Sequence, residues 1–559
     1  MTAAPPAPPA PPRTRQTEAF PRLTAAQIAR IEPHGRHRKV EPGEVLGDVG
    51  QPVTHTFVVV SGRLDLVRPP SWVGDDVSFE AGMFTGERSI LAGGRFLARI
   101  QAGIPSEVIE VAREELLQLI QTDPELSDIF LRAFILRRLQ LIDEGLGDVL
   151  LLGSNHCQGS LQIREFLTRN GHPYKFVDLD TDQGSQAMLD QFQVKAGDIP
   201  VVICRGTLVL RNPTIQQVAD CLGLNPTIDR TEVCDLVIIG AGPAGLGAAV
   251  YAASEGLKVV MIEGNAPGGQ AGTSSRIENY LGFPLGISGQ ELAGRAYDQA
   301  QKFGAKILIA RKVARINCDQ KPYRVMCDQA DGGLLTRAII IASGVEYRRL
   351  AVENLSRFEG AGVYYAATRM EAQLCSDEEI AVVGGANSAG QAAMFLAETA
   401  KRVHMLIRGD GLARTMSRYL ISRIEAHPGI ELHPRTEIVG LDGNGHLEQV
   451  AWRTGRNGPV ERRTLRHVFT MTGAEPSTKW LAGCLALDDK GFIKTGAALS
   501  ADDLATAKWP LRRPPHLLET SLPGVLAVGD VRSGSTKRVA SAVGEGSIAV
   551  ATVHQILAE

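Results

Sequence analysis

Apolar and polar positions change rhythm repeatedly along this chain. Over residues 21–110 short apolar runs are punctuated by glycine, as in Thr56-Phe-Val-Val-Val-Ser-Gly62, Leu64-Asp-Leu-Val67 and Glu107-Val-Ile-Glu-Val111, a spacing that predicts an all-β unit. Helical periodicity takes over across 114–142, with Leu116, Leu117, Ile120, Leu126, Ile129, Phe130, Phe134 and Ile135 on one face, so a helix is expected to close that unit. Residues 148–224 mix the two periods. Strands are expected at 149–152, 174–177 and 201–204, with helices at 161–170 and 185–192, giving a small α/β unit. From Asp235 to the end βαβ patterns dominate, and a second nucleotide-binding pattern sits inside the first.

Length makes the chain multidomain. At 559 residues it exceeds one core and suggests about three to five units. The expected boundaries are a proline-rich tail at 1–20, units at 21–146 and 148–225, one nucleotide-binding domain built from 232–350 and 474–559, and a second at 351–473. The 59 Lys+Arg nearly balance 62 Asp+Glu, which leaves neither the basic field of a nucleic-acid binder nor a polybasic membrane patch. Small molecules or proteins are the expected partners. The cysteines stand at 157, 204, 221, 234, 318, 327, 375 and 484 with no Cys-x-x-Cys, so neither a zinc site nor a disulfide framework is expected, and reduced thiols in a cytoplasm fit best. The N-terminus lacks the apolar stretch of a signal peptide, and no run approaches the ~18 apolar residues of a membrane span. The tail of prolines reads as polyproline-like and disordered.

Two glycine turns carry the chemistry. The strand at 235–239 runs into Gly240-Ala-Gly242-Pro243-Ala244-Gly245 and a helix. The first glycine permits the tight turn, the second lets backbone N–H groups approach a pyrophosphate, and the third allows close helix packing. Glu263 ends the next strand, where an acid hydrogen-bonds a ribose. This is an ADP-binding pattern. The second copy reads Gly384-Gly385-Ala386-Asn387-Ser388-Ala389 between strands at 380–383 and 403–407, with Ala386 replacing the central glycine. Arg408 stands where the first copy has Glu263, and Arg414 and Arg418 follow. An arginine there accommodates the 2′-phosphate of NADPH, whereas an acid would bind the 2′-hydroxyl of NADH.

With these residues in view, 232–559 resembles the low-molecular-weight thioredoxin reductase family. The resemblance rests also on Gly268-Gly269-Gln270, Ile277-Glu-Asn279-Tyr280, Ile341-Ala-Ser-Gly344 and Gly524-Val-Leu-Ala-Val-Gly529-Asp530. It implies a homodimeric flavoprotein whose FAD domain is interrupted by an NADPH domain. Gly269, Gln270 and Asn279 would approach the flavin, and Asp530 would contact the ribityl chain. A helix over 539–550 would point its N-terminus at the flavin ring and favour the negative charge that hydride transfer leaves. One departure stands out. Where the family has Cys-Ala-Thr-Cys, this chain reads Ala366-Ala367-Thr368-Arg369, which supplies no sulfur for a disulfide relay. Cys375 nearby reads as structural or incidental.

Residues 148–225 resemble a glutaredoxin or thioredoxin-like domain through Ser154-Asn-His-Cys157-Gln-Gly-Ser160, placed between strand and helix, and through Ile199-Pro200-Val201, similar to that family's cis-proline. A helix N-terminus stabilises a thiolate, so Cys157 is the one candidate catalytic residue, against the alternative of an inert thiol in a docking remnant. Residues 21–146 resemble cyclic-nucleotide-binding domains through Gly82-Met-Phe84-Thr-Gly86-Glu87. The usual Pro-Arg-x-Ala run is not intact around Arg95, which favours a ligand-free regulatory or dimerisation role. The fold class expected is therefore multidomain α/β: a β-roll with helices, a thioredoxin-like domain and two Rossmann-like domains. The expected function is an FAD-dependent NAD(P)H oxidoreductase whose acceptor is a small redox protein, a disulfide or a quinone. Two alternatives remain open: a thioredoxin-disulfide reductase working through Cys157, and a nucleotide-regulated redox sensor.

Overall fold

The computed structural model describes residues 15–67, 77–87, 89–92, 94–143, 149–155, 157–180, 195–204, 208–274, 276–318, 320–328, 332–481 and 483–559. The proline run and the helix expected at 185–192 lie outside the described residues. In the N-terminal unit, glycine-punctuated strands build two antiparallel sheets. Strand Ser106–Ala112 pairs with both Arg36–Val40 and His55–Ser61, and Arg63–Val67 pairs with Val77–Glu80 and Arg99–Ala102. Phe84, Phe130 and Phe134 fill the space beneath, Phe84 meeting the other two rings edge-on at 4.4 and 5.9 Å.

The closing helix is two helices, Arg113–Thr122 and Pro124–Asp143. Apolar periodicity runs across the break, but Pro124 has no N–H and forces Asp123 into an extended conformation. Asp123 Oδ1 then accepts from the backbone N–H of Glu125 and Leu126 at 3.1 and 3.0 Å, capping the second helix.

The next unit is a four-stranded sheet in the order Leu208–Arg211, Val201–Cys204, Val149–Gly153, Lys175–Asp178. Its last pair is parallel and the others antiparallel. Helices Gln158–Arg169 and Ile215–Leu222 bury Ile163, Phe166, Leu167, Val218 and Leu222 in a core continuous with that of the following domain. The Ile199-Pro200 bond is cis. The expectation of uniformly reduced thiols is corrected here: Cys204 is bonded to Cys221, and Cys318 to Cys484. Each pair joins distant elements with Cα atoms 6.7 and 6.5 Å apart, a juxtaposition that no cysteine spacing announces.

Beyond residue 232 lie two α/β units, each built on its own sheet. The first sheet runs Lys306–Ile309, Val259–Glu263, Val233–Ile239, Leu334–Ile341, then the antiparallel strands Tyr323–Cys327 and Val313–Asn317. Strand Val525–Ala527 joins Leu334–Ile341 in parallel, so the chain returns to this sheet after passing through the second. That second sheet is parallel, in the order Val363–Tyr364, Val468–Thr470, Glu379–Val383, Arg402–Leu406, Ile430–His433. An antiparallel ribbon of Val345–Tyr347 with Ala474–Pro476 carries the chain out and back.

Candidate functional site

The turn after strand Val233–Ile239 is shaped by three glycines in three different ways. Gly240 adopts φ 103°, and a Cβ there would meet Ala342 O at 2.4 Å. A Cβ on Gly245 would lie 1.9 Å from Gly240 O, so helix Pro243–Ser254 can seat on the strand only without a side chain there. Gly242 is different: the nearest atom to its Cβ position is Gly269 Cα at 4.0 Å, leaving open space at the helix N-terminus. Gly242 is the N-cap and no side chain satisfies the N–H groups there, the donor set that an anion requires.

Glu263 closes the turn from below. One carboxylate oxygen accepts from Ala241 N and the other from Asn265 N, both at 2.8 Å, and burial pushes its carboxyl above the ordinary value. Gly269, in the left-handed region at φ 53°, stacks on Gly242, and Gln270 Nε2 donates to Val345 O at 2.5 Å. From the C-terminal end, Gly529 N donates to Glu545 at 2.7 Å, and burial raises the carboxyl of Asp530. Helix Val539–Ala558 starts beside them, again without a side-chain cap. It packs on the first helix through glycine: a Cβ on Gly546 would lie 2.3 Å from Ala244 O.

Gly240, Gly242, Pro243, Ala244, Glu263, Gly269, Gln270, Asn279, Gly529 and Asp530 all face one cavity of about 1500 Å³. Of the second turn, Asn387 and Ser388 reach the same cavity. Gly384 holds φ 143° against Met471 O, Ala386 is the N-cap of helix Asn387–Leu396, and Ala389 is buried. Asn387 Oδ1 accepts from Ser417 N at 2.8 Å, tying the turn to the following loop. Arg408 and Arg414 are exposed beyond the strand end and do not line the cavity.

The wall that motif reading missed comes from the second unit. Gln158, Leu161, Gln162, Glu165 and Arg169 of helix Gln158–Arg169 line the same cavity, and Arg169 Nη2 donates to Gly269 O at 2.9 Å. Cys157 is the N-cap of this helix and is partly exposed. A Cβ on Gly159 would lie 3.1 Å from Pro200 Cδ and 3.9 Å from Cys157 Sγ, so ring and thiol share the space above that glycine. Tyr347 and Tyr365, stacked 6.5 Å apart, also border the cavity, as does Ala366. Below Ala366, Thr368 donates through its N–H at 2.9 Å and through its hydroxyl to Glu371, whose carboxyl is raised by burial. Cys375 is fully buried, and desolvation pushes its thiol up to about 12, which leaves it unreactive at neutral pH.

Two Rossmann-like sheets opening onto one cavity define an oxidoreductase that handles two dinucleotides. The chain belongs to the pyridine nucleotide-disulphide oxidoreductase family, whose model matches residues 234–546. The thioredoxin reductases in it are NAD(P)H-dependent flavoproteins that use FAD and NADPH. A cyclic nucleotide-binding domain matches residues 37–123. Among curated relatives, a thioredoxin reductase of Ureaplasma parvum is 32% identical, covering 57% of this chain and 95% of that protein. NADPH-dependent thioredoxin reductase 3 of Arabidopsis thaliana is 30% identical over 63% of this chain, which spans 65% of the plant protein's length. The solved thioredoxin reductase of T. acidophilum is 27% identical with a TM-score of 0.52, covering 59% of this chain and all of that one.

Among the described residues of the N-terminal domain, a cavity bordered by Phe20, Phe79, Leu97, Glu87 and Arg137 holds about 90 Å³, against the roughly 300–1,000 Å³ of ordinary ligand pockets. Glu87 is engaged by Ser89 N at 3.0 Å and by Arg138, while Arg95 lies against Gly223 of the next unit. Calorimetry on the full chain is therefore expected to give no micromolar binding of cyclic AMP or cyclic GMP. Micromolar binding abolished in Glu87→Ala would contradict this.

Proposed function

We propose that this protein is an FAD-dependent NAD(P)H oxidoreductase of thioredoxin reductase type in which NADPH reduces FAD and the electrons leave without the usual redox dithiol. The domain division expected from the sequence, 21–146, 148–225, 232–350 with 474–559, and 351–473, is part of this reading. The observation that carries it is the single cavity shared by the first glycine turn, the second turn and helix Gln158–Arg169. Gly240, Gly242, Pro243, Ala244, Gly245, Glu263, Gly269, Gln270, Asn279, Gly529 and Asp530 would hold FAD. Gly384, Ala386, Asn387, Ser388, Ala389, Arg408 and Arg414 would hold NADPH. FAD, when bound, supplies a site that accepts hydride and hands the electron pair on. The uncapped N–H groups at Gly242 would bind its pyrophosphate, and the N-terminus of helix Val539–Ala558 would favour the negative charge that hydride transfer leaves on the flavin.

Net turnover consumes NADPH, a proton and an oxidised acceptor, and gives NADP⁺ and the two-electron-reduced acceptor. The acceptor is a small redox protein, a disulfide or a quinone. A route through Cys157 is favoured by one contact, the seat of Arg169 on Gly269 O, which holds the unit carrying that thiol against the flavin loop. The four-stranded mixed sheet of residues 148–225 and its helices Gln158–Arg169 and Ile215–Leu222 support a thioredoxin-like domain there. A homodimer working in the cytoplasm accompanies this reading. Anaerobic reduction followed by an acceptor panel tests the proposal: flavin that NADPH does not reduce would end it. NADPH is expected to outperform NADH at low coenzyme concentration, and Arg408→Ala to cost roughly ten- to hundredfold in NADPH affinity while leaving NADH unchanged, the range for a charged hydrogen bond. Equal apparent affinities of the unaltered protein for both coenzymes, measured by stopped flow, would remove this assignment of Arg408.

A further inference from the structure

On the far side of the second parallel sheet, strands Arg402–Leu406 and Ile430–His433 lie in register with His404 opposite Glu431 and Leu406 opposite His433. Strand alternation puts His404, Glu431 and His433 on one face, together with Glu379 from the neighbouring strand. The three side chains converge. His404 Nδ1 is 3.1 Å from His433 Nε2 and 3.6 Å from one Glu431 oxygen, and His433 Nε2 is 3.5 Å from the other. The indole of Trp452 covers both imidazoles at 5.5 and 5.4 Å.

Two imidazole nitrogens facing one another across this distance make either a hydrogen bond or one edge of a coordination shell. For metal–nitrogen bonds of about 2.0–2.1 Å, the edge of a tetrahedron is roughly 3.3 Å. The His404 Nδ1–His433 Nε2 separation of 3.1 Å is close to that length, and Glu431 presents one carboxylate oxygen to each imidazole at 3.6 and 3.5 Å. The second nitrogen of His404 decides between the two. Its Nε2 faces Glu379 at 3.4 Å, an outer carboxylate that holds the proton on Nε2 and turns the Nδ1 lone pair towards His433 and Glu431.

We propose that His404, His433 and Glu431 form a binding site for a divalent transition-metal ion of the Zn²⁺ type, with a water molecule in the fourth position. The donor set of two imidazoles and a carboxylate suits such an ion, whereas Mg²⁺ and Ca²⁺ prefer oxygen throughout. His404 is buried and Glu431 half-exposed, so the open position faces solvent. The cations nearest the site, Arg402 on Glu431 at 3.2 Å and Lys401 on Glu379 at 3.4 Å, are more than half exposed and free to swing away. Arg463 and Glu461 pair with one another at 3.0 Å. Occupancy would pin the edge strand to the neighbouring turn, because Ile407 N donates to His433 O at 3.0 Å and Arg435 N to Gly409 O at 3.0 Å.

The test uses untagged full-length holoprotein, stripped with EDTA and desalted, then titrated with ZnCl₂ by calorimetry and thermal shift. One equivalent is expected to bind and to raise Tm. His433→Ala and Glu431→Gln should each weaken binding roughly tenfold or more, and Glu379→Gln should weaken it less. Both variants leave the buried His404 in place, and their unliganded Tm reports whether they fold. Absence of a saturable equivalent, or one-to-one binding that survives both variants and so belongs to thiols elsewhere, would overturn the proposal.

Discussion

Gly242→Val is expected to fold and to purify without its yellow colour. The two other glycines of the turn are locked by the protein itself, Gly240 against Ala342 O and Gly245 against Gly240 O, so a side chain at either would unseat helix Pro243–Ser254. At Gly242 nothing lies closer to the Cβ position than Gly269 Cα at 4.0 Å, and the folded chain tolerates the added methyl groups. The same space is where the FAD pyrophosphate must meet the N–H groups of the helix start. Overpacking of about 1–3 kcal/mol corresponds to roughly ten- to hundredfold weaker FAD binding. Flavin content after gel filtration, read beside circular dichroism, checks it: full flavin content in a folded variant would mean that this turn does not hold the pyrophosphate.

The second large effect is expected at Cys157. If electrons reach a disulfide acceptor through the second unit, Cys157→Ser abolishes disulfide turnover and leaves NADPH oxidation by artificial quinones intact, since quinones take electrons directly at the flavin. The substitution is small, and Cys157 is an N-cap, a position that serine suits well. Loss of activity would therefore report chemistry and not unfolding. Full disulfide turnover in the variant would remove Cys157 from the path and leave direct transfer from flavin to a docked partner.

Features held within a few dozen residues were legible in advance. The turn at Gly240 and the strand ending in Glu263 follow from local periodicity and turn chemistry, whereas the return of the chain at Val525–Ala527 to the strand Leu334–Ile341 was expected through the family resemblance. The break at Pro124 was also written locally, but the apolar face continues through it and the period hid the stop signal. What stayed hidden is long-range. Arg169 meets Gly269 across a separation of 100 residues, and Cys318 meets Cys484 across 166, neither with a motif at either end. His404, Glu431 and His433 are joined by the register of two parallel strands, which no spacing along one strand reveals. Arg408 and Arg414 illustrate the opposite limit: their place in the pattern is clear, yet both are exposed and neither is among the residues lining the shared cavity.

Anaerobic reductive titration tests the central claim most directly. With Ala366 and Arg369 in place of the family's two cysteines, the account predicts uptake of a single electron pair per FAD and no long-wavelength band from a thiolate stacked on the ring. Uptake of a second pair accompanied by that band would contradict it, because only a disulfide in contact with the flavin produces both.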